Sequence, residues 1–382
     1  MSRDGGREGG VPITVSPSGS GSNVDSGRGK GEGNSLARAT AGEQLAVDPA
    51  AIEQSLAGLW REEARASKGA VIRAALWNVV ALSREEGECR RAAEVLSRVS
   101  GMVPQRSILV AADPASGDRL TSWISASCHR LDAERQMCSE QITIAAAGGR
   151  VRHLASLVRA LLLPDMPVAL WCLGVPPRER ELIDLIETGE RLMFDSRRFE
   201  DPAELERTLA LARSAPLGAA DLQWLRLEEW RWATAALFDC PGVAERARRL
   251  RSIHVRFASS AERRWGESAG GWLYAGWLAG QLELSTGAEG VSVRLEAEPG
   301  EEAGRLLSIE LDLGDGAGIT IEPSAGAVRA VPRGVRPAAP AVIRRFSSEP
   351  DHLVRRALAR GERDLVYERA LALAATMAGS RP

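Results

Sequence analysis

The stretch LLLPDMPVALWCLGVPP, residues 161–177, decides the fold. Its three leucines close an apolar-periodic helix that begins near Val151. The Pro164-Asp165-Met166-Pro167 turn removes amide donors and fixes φ, so the helix stops there. Val168 to Leu173 is apolar at every position. Neither face of such a strand can meet water, which marks an interior strand of a parallel sheet, and we read it as the central one. Gly174 and Pro176-Pro177 end the strand, and Arg178 to Glu187 resumes a helical pattern.

Outward from this unit, βα steps are expected on both sides. Asp48 and Pro49 start a helix to Trp60, by cap and first-turn proline. Residues 70–82, AVIRAALWNVVAL, read as one long strand, and Ser83 caps a helix to about Val99. Ser107 to Ala112 is a further strand. Leu120 to Cys128 and Cys138 to Ala146 form a strand pair, and Gly148-Gly149 leads into the helix from Arg150 to Leu163. Beyond the central unit lie a short strand at 191–195, a helix opened by Asp201-Pro202, one long helix from Ala219 to Leu237, and a strand at 252–258. The texture then changes to one helix at 271–284, four short strands near 291–297, 305–313, 317–322 and 327–331, and two closing helices from about 350 and 363. The expected class is α/β, a mostly parallel open sheet flanked by helices, followed by a smaller α+β C-terminal part. Residues 1–44 are Gly/Ser-rich and lack a core, so they are expected to be disordered; 45–260 form the α/β domain and 261–382 the α+β domain.

A chain of 382 residues with net charge −2 and no long basic run is a poor ligand for nucleic acid or an anionic membrane. No apolar run reaches membrane-spanning length, and a cytoplasmic location is expected. Five cysteines at irregular spacing fit reduced thiols. Lys30 and Lys68 are the only lysines, so there is no P-loop lysine.

In an open parallel sheet, ligands bind beyond the carboxyl ends of the strands, so chemistry is expected in those loops. Gly148 and Gly149, before a helix, offer a seat for an anion; two glycines after a strand are ordinarily only a tight turn. Asp195 and Ser196, before Arg197-Arg198, are a second loop candidate, against the plain reading of a helix-leading turn. None of the four histidines stands in a nucleophile or zinc motif; no metal and no cofactor is expected. Cys128 and Cys138 alternate in phase with apolar neighbours, so a hairpin could bring both thiols to one face as a redox pair; buried inert cysteine is the alternative. Ten tryptophans stand against two tyrosines. In DLQWLRLEEWRW the indoles fall on more than one face of a helix, so Trp224, Arg226, Trp230 and Arg231 are candidate partner contacts, against a core role.

Asn78-Val79-Val80, Cys138-x-Glu140-x-Ile142, LLLPDMPVALW, ERLMFDS at 190–196, DLQWLRLEEWR at 221–231, GWLAGQL at 276–282 and DLVYERAL at 364–371 occur in this order. This combination resembles the OpcA family, described as glucose-6-phosphate dehydrogenase assembly factors or activating subunits. The chain departs from the family pattern at Val103-Pro104-Gln105-Arg106, where many relatives have His-Pro-Ser/Cys-Arg, and at Cys172, where they carry a second tryptophan. The resemblance implies a non-catalytic assembly factor or allosteric activator whose partner is glucose-6-phosphate dehydrogenase. The competing expectation from the residues alone is an enzyme or sensor that binds a sugar phosphate or nucleotide at the strand ends.

Overall fold

The computed structural model describes residues 38–41, 47–66, 70–130, 135–285, 290–335 and 339–379. The first half comprises β1 (Arg38–Ala41), α1 (Pro49–Ala66), β2 (Ala70–Arg73), β3 (Trp77–Ser83), α2 (Glu86–Ser100), β4 (Gln105–Asp113), β5 (Arg119–Arg130) and β6 (Arg135–Ala147). Next come α3 (Leu154–Leu161), β7 (Val168–Cys172), α4 (Arg180–Ile186), β8 (Arg191–Phe194), α5 (Ala203–Ser214), β9 (Ala219–Asp221), α6 (Leu222–Arg226), α7 (Glu228–Phe238) and α8 (Pro241–Ala247). The remainder is β10 (Ser252–Ser259), α9 (Ala269–Leu282), β11 (Ser292–Pro299), β12 (Leu306–Gly314), β13 (Ala317–Ser324), β14 (Ala327–Arg333), β15 (Ala341–Arg344), α10 (Pro350–Ala359) and α11 (Leu365–Gly379).

The first sheet runs β1-β5-β6-β4-β3-β7-β8-β9, with β2 also on β6. Pairings from β6 to β9 are parallel; β1–β5 and β5–β6 are antiparallel. This is the α/β class expected. β7 is buried along its whole length between β3 and β8, an interior strand one place from the middle, because the β5–β6 hairpin and β1 extend the other side. Alternation along the strands divides the core. Val80, Leu82, Ile108, Ile144 and Leu170 face α1, α3 and α4, whereas Val79, Ala81, Leu109, Trp171 and Met193 face α2 and α10. The turn that ends α3 is held from inside. The buried Asn78 side chain accepts from Leu163 N at 2.8 Å and donates to the carbonyls of Leu163 at 3.0 Å and Met166 at 3.1 Å.

Several boundaries differ from the sequence reading. The long strand at 70–82 is two strands that belong to different neighbours, since β2 pairs with β6 while β3 pairs with β4 and β7. Residues 150–163 open with a 3-10 turn, Gly148–His153, before α3. The helix placed at 219–237 is a strand and two helices; Leu227 breaks it at φ −90° and ψ −2°. Within the tail placed at 1–44, residues 38–41 form β1 on β5; residues 1–37 and 42–44 lie outside the described residues.

The second sheet runs β11-β10-β12-β13-β14-β15. Its first strand in sequence, β10, is the segment at 252–258 that the sequence reading attaches to the first half. Its inner face carries Ile253, Val255, Ile309, Leu311, Ile319, Ile321, Val328 and Ala330, all buried. Against this face lie α7, α8 and α9. The chain then returns: α10 packs on α2 and α6, and α11 packs on α9 and α5.

Candidate functional site

Strand β3 is the point at which the first sheet reverses direction, since β3-α2-β4 winds to one side and β7-α4-β8 to the other. The crevice beyond the carboxyl ends of β3 and β7 is where such a sheet binds phosphates, on the free amides of the next helix. Here that helix, α2, is flanked by Glu85 and carries Glu86 and Glu88 in its first turn, so the position is already negative. Ser83 does not cap the helix by itself. Its Oγ accepts from Glu85 N at 3.1 Å and donates to Glu88 at 2.7 Å. Arg198 pairs with Glu88, and Arg84 pairs with Glu179 across the crevice. Burial lifts the Glu88 carboxyl, but Ser83 and Arg198 hold it below the ordinary glutamate range, so it stays ionised.

The other loop candidates share this pattern. Gly148, at φ +59°, sits so close to Asp118 that a Cβ would collide with its carboxylate, and Gly149 N donates to Asp118 Oδ1 at 2.7 Å. The seat expected for a ligand anion therefore holds this chain's own aspartate. At the end of β8, Ser196 N donates to Asp221 Oδ1 at 3.0 Å and Arg197 N to Asp195 Oδ1 at 3.2 Å.

Asp195 and Arg226, candidates of different kinds in the sequence, come together in one buried pair. Arg226 donates to both Asp195 oxygens at 2.9 Å. Burial pushes the Asp195 carboxyl up, but Arg226 and Arg197 more than reverse this and hold it below the ordinary value. The neighbouring Asp221 has no guanidinium partner among the described residues. Burial and the Asp195 charge push its carboxyl up to about 6, and Tyr367 Oη donates to it at 3.4 Å. Trp224 Nε1 donates to Asp364 at 2.9 Å, Arg231 stacks 3.4 Å over the Trp224 ring, and Glu228 takes both Arg356 and Arg360. A cavity of about 30 Å³ beside Arg226, Glu229 and Arg305 has room for something the size of a water, far below the ~300 Å³ from which small-molecule pockets begin.

This arrangement corrects the surface expected of the 221–237 segment. Trp224 is 2% exposed and Trp230 6%, and the Arg226 side chain is 11% exposed. The indole left outside is Trp232, at 49%, edge-on to Phe346 at 5.3 Å. The reason is the break at Leu227 together with α10 and α11, which cover sides that a single straight helix would leave open.

Cys128 stands directly opposite Cys138 across β5–β6, so the hairpin does bring the pair to one face; their sulfurs are bonded at 2.00 Å, whereas the irregular spacing of the cysteines suggests reduced thiols. Cys138 lines a cavity of about 330 Å³ at the amino ends of the strands, beside Arg106, whose buried guanidinium is held by Glu140 and Glu53 at 2.5 Å. Among the described residues, no group of three or more His, Cys, Asp or Glu could hold a metal. The sequence reading missed Tyr367, Asp364, Glu228, Arg356 and Arg360 as members of the network. Arg356, Arg360, Asp364 and Tyr367 stand more than 120 positions from Asp221, Trp224 and Glu228, so no local pattern could connect the two groups.

Two family models match in chain order, the glucose-6-phosphate dehydrogenase subunit N-terminal domain over residues 97–210 and its C-terminal domain over residues 217–371. An OxPP cycle protein OpcA of Synechococcus elongatus is 29% identical over 230 residues, which cover 57% of this chain and 49% of that protein. Its counterpart from Synechocystis is 24% identical over 192 residues, covering 50% and 39%. The matches thus span about half or less of those relatives. Solved structures with a similar course include KijD10, a 3-ketoreductase from Actinomadura kijaniata, at 16% identity and TM-score 0.44 over 78% of this chain and 95% of that one. Levoglucosan dehydrogenase has 10% identity and TM-score 0.42 over 80% and 96%. At such values the likeness says nothing about chemistry. The paired domain matches and the OpcA relatives together establish that this chain belongs to the OpcA family.

Proposed function

We propose that the chain is a non-catalytic cytoplasmic partner of glucose-6-phosphate dehydrogenase, which promotes the active assembly of that enzyme. The observation that carries this reading is the occupation of the phosphate positions by the chain's own carboxylates: Glu86 and Glu88 at α2, Asp118 at Gly149, and Asp195 and Asp221 after β8. The loop amides that a phosphate would use at Gly149, Ser196 and Arg197 already donate to these carboxylates, which supports the absence of a sugar-phosphate or nucleotide seat there. The family description and the relatives' names support the dehydrogenase as the partner. An activator need only bind the active assembly more tightly than the inactive one.

The test is steady-state kinetics of the host's dehydrogenase with and without the purified chain, alongside the chain alone with glucose 6-phosphate and NADP. The expected result is a change in dehydrogenase kcat or KM that saturates with added chain, and no turnover by the chain itself. Unchanged dehydrogenase kinetics, or nicotinamide reduction by the chain alone, would overturn the proposal.

A further inference from the structure

The outer face of the second sheet carries side chains that its own neighbours leave unmatched. On β10 and β11 the outward charges are neutralised within the chain. His254 bonds Glu296 at 3.0 Å, Arg294 bonds Glu296 at 3.1 Å, and Arg256 bonds Glu298 at 2.8 Å. On the other four strands they are not. Glu310 and Asp312 on β12, Glu322 on β13, Arg329 and Arg333 on β14, and Arg344 on β15 are all exposed, and no ion pair joins any of them to another described residue. Glu322 stands directly across from Arg329 in register without pairing with it.

The signs are divided by strand, with carboxylates on β12 and β13 and guanidinium groups on β14 and β15. At the seam between them lie Thr320 and Val331, opposite each other and half-buried, and Val342, 60% exposed, stands on the edge strand β15. A face that is acidic on one side, basic on the other and β-branched along the middle is complementary to itself. A two-fold axis parallel to the strands between β13 and β14 lays β13 of one copy over β14 of the other, and β12 over β15. Because such an axis keeps position along the strand, Glu322 of one copy meets Arg329 of the other, and Thr320 meets Val331. Asp312, in line with Gly318 and Arg333, comes near Arg333 of the other copy.

We propose that this face is a homodimer interface, formed by isologous stacking of strands β12 to β15 from two copies. Four strands at ~4.8 Å spacing and of this length present on the order of 500 Å² per copy. Two copies then bury about 1,000 Å², the lower limit for a specific association, so the dimer is a weak one that depends on charge. The β10–β11 half overhangs the contact, which accounts for its charges being paired within the chain and those of β12–β15 being left for a partner. This inference is independent of the dehydrogenase reading, because it concerns what the chain does alone.

Sedimentation velocity of the full chain at micromolar concentration tests it. The expected wild type is a monomer–dimer equilibrium that moves toward monomer as salt is raised. Arg329→Glu with Arg333→Glu, and separately Glu310→Arg with Glu322→Arg, should each weaken the dimer by about tenfold or more through like-charge contact. Mixing the two double variants should restore a heterodimer, which non-specific loss of structure could not do. The milder Arg329→Gln with Glu322→Gln, checked for an unchanged melting temperature, should weaken the dimer less. A wild-type chain that sediments as a monomer throughout, charge-reversed variants that dimerise as tightly as wild type, or folded double variants that do not associate when mixed would overturn the proposal.

Discussion

The bidentate contact between Arg226 and Asp195 shows how one pair can replace a ligand site with an internal joint. Both side chains are nearly excluded from water, so each charge is tolerated only because the other is present. Arg226→Ala leaves Asp195 with only the longer 3.9 Å contact to Arg197 in place of a bidentate pair, and the expected cost is about 3 kcal/mol, read as a lowered denaturation midpoint; a shift within error would show that Arg197 and solvent suffice for the carboxylate. Asp221 has the opposite character. Its folded pKa is raised from the ordinary 3.8 to about 6, so its favourable contribution is complete below 3.8 and is lost as pH rises through about 6. Asp195, held low, contributes in the opposite sense and loses its contribution only at more acidic pH. Asp221→Asn mimics the protonated form and should flatten the rise in stability on acidification from 6 to 4, a difference on the order of 2 kcal/mol. The Tm of the variant relative to wild type should therefore be more favourable at pH 8 than at pH 4, and parallel Tm curves would refute the assignment.

Among elements, β7 and α9 make the most specific demands. Trp171 on β7 is 7% exposed and lies in the core with α2 and α10. Trp171→Ala should cost roughly 3–5 kcal/mol, because two helices cannot close on the void at once; an unshifted melting temperature would contradict this packing. Helix α9 is buried on almost every side, from Ala269 to Gly280. That accounts for its lack of an apolar stripe and makes it an interior helix. A Cβ at Gly276 would lie well inside contact distance of the Ala370 carbonyl oxygen of α11, part of a backbone that cannot yield locally. Gly276→Ala must push α11 outward, at about 1–3 kcal/mol. The same substitution at Gly361, where a Cβ meets nothing within 4 Å, serves as the control in the same thermal melts.

At the scale of the whole molecule, the two sheets are joined by the closing helices α10 and α11. Leu353, Val354, Ala357 and Leu358 of α10 complete the core on the Trp171 side of the first sheet, while α11 lies between α5 and α9. Buried Arg191 extends the joint. It begins β8 and donates to the carbonyls of Ala357 at 3.3 Å and Glu362 at 3.1 Å, near the end of α10. A fragment of residues 45–260, the unit that composition suggests as the first domain, would lose that cover and carry β10 without its sheet. Such a fragment should fail to melt cooperatively, and a sharp transition matching that of the full chain would show that the first sheet folds independently.

What the sequence determined by itself was whatever depends on neighbours along the chain. The apolar run at 168–172, the prolines before it, Asp48 before Pro49 and the alternation at 120–146 each act over a few residues, and each produced the expected strand, turn, cap or hairpin. The paired-carboxylate loops, the burial of Trp224 and Trp230 and the division at Leu227 were decided only by tertiary structure. DLQWLRLEEWRW contains neither glycine nor proline, so nothing in it signals a break. Whether an indole on a helix faces water depends on what arrives against it, and here the arrivals are Asp364, Tyr367 and Arg356, from a segment more than 120 residues downstream. Side-chain chemistry is carried in the sequence, but partners across such a distance are chosen by the burial of two helices against α2, α5, α6 and α9, none of which is near them along the chain.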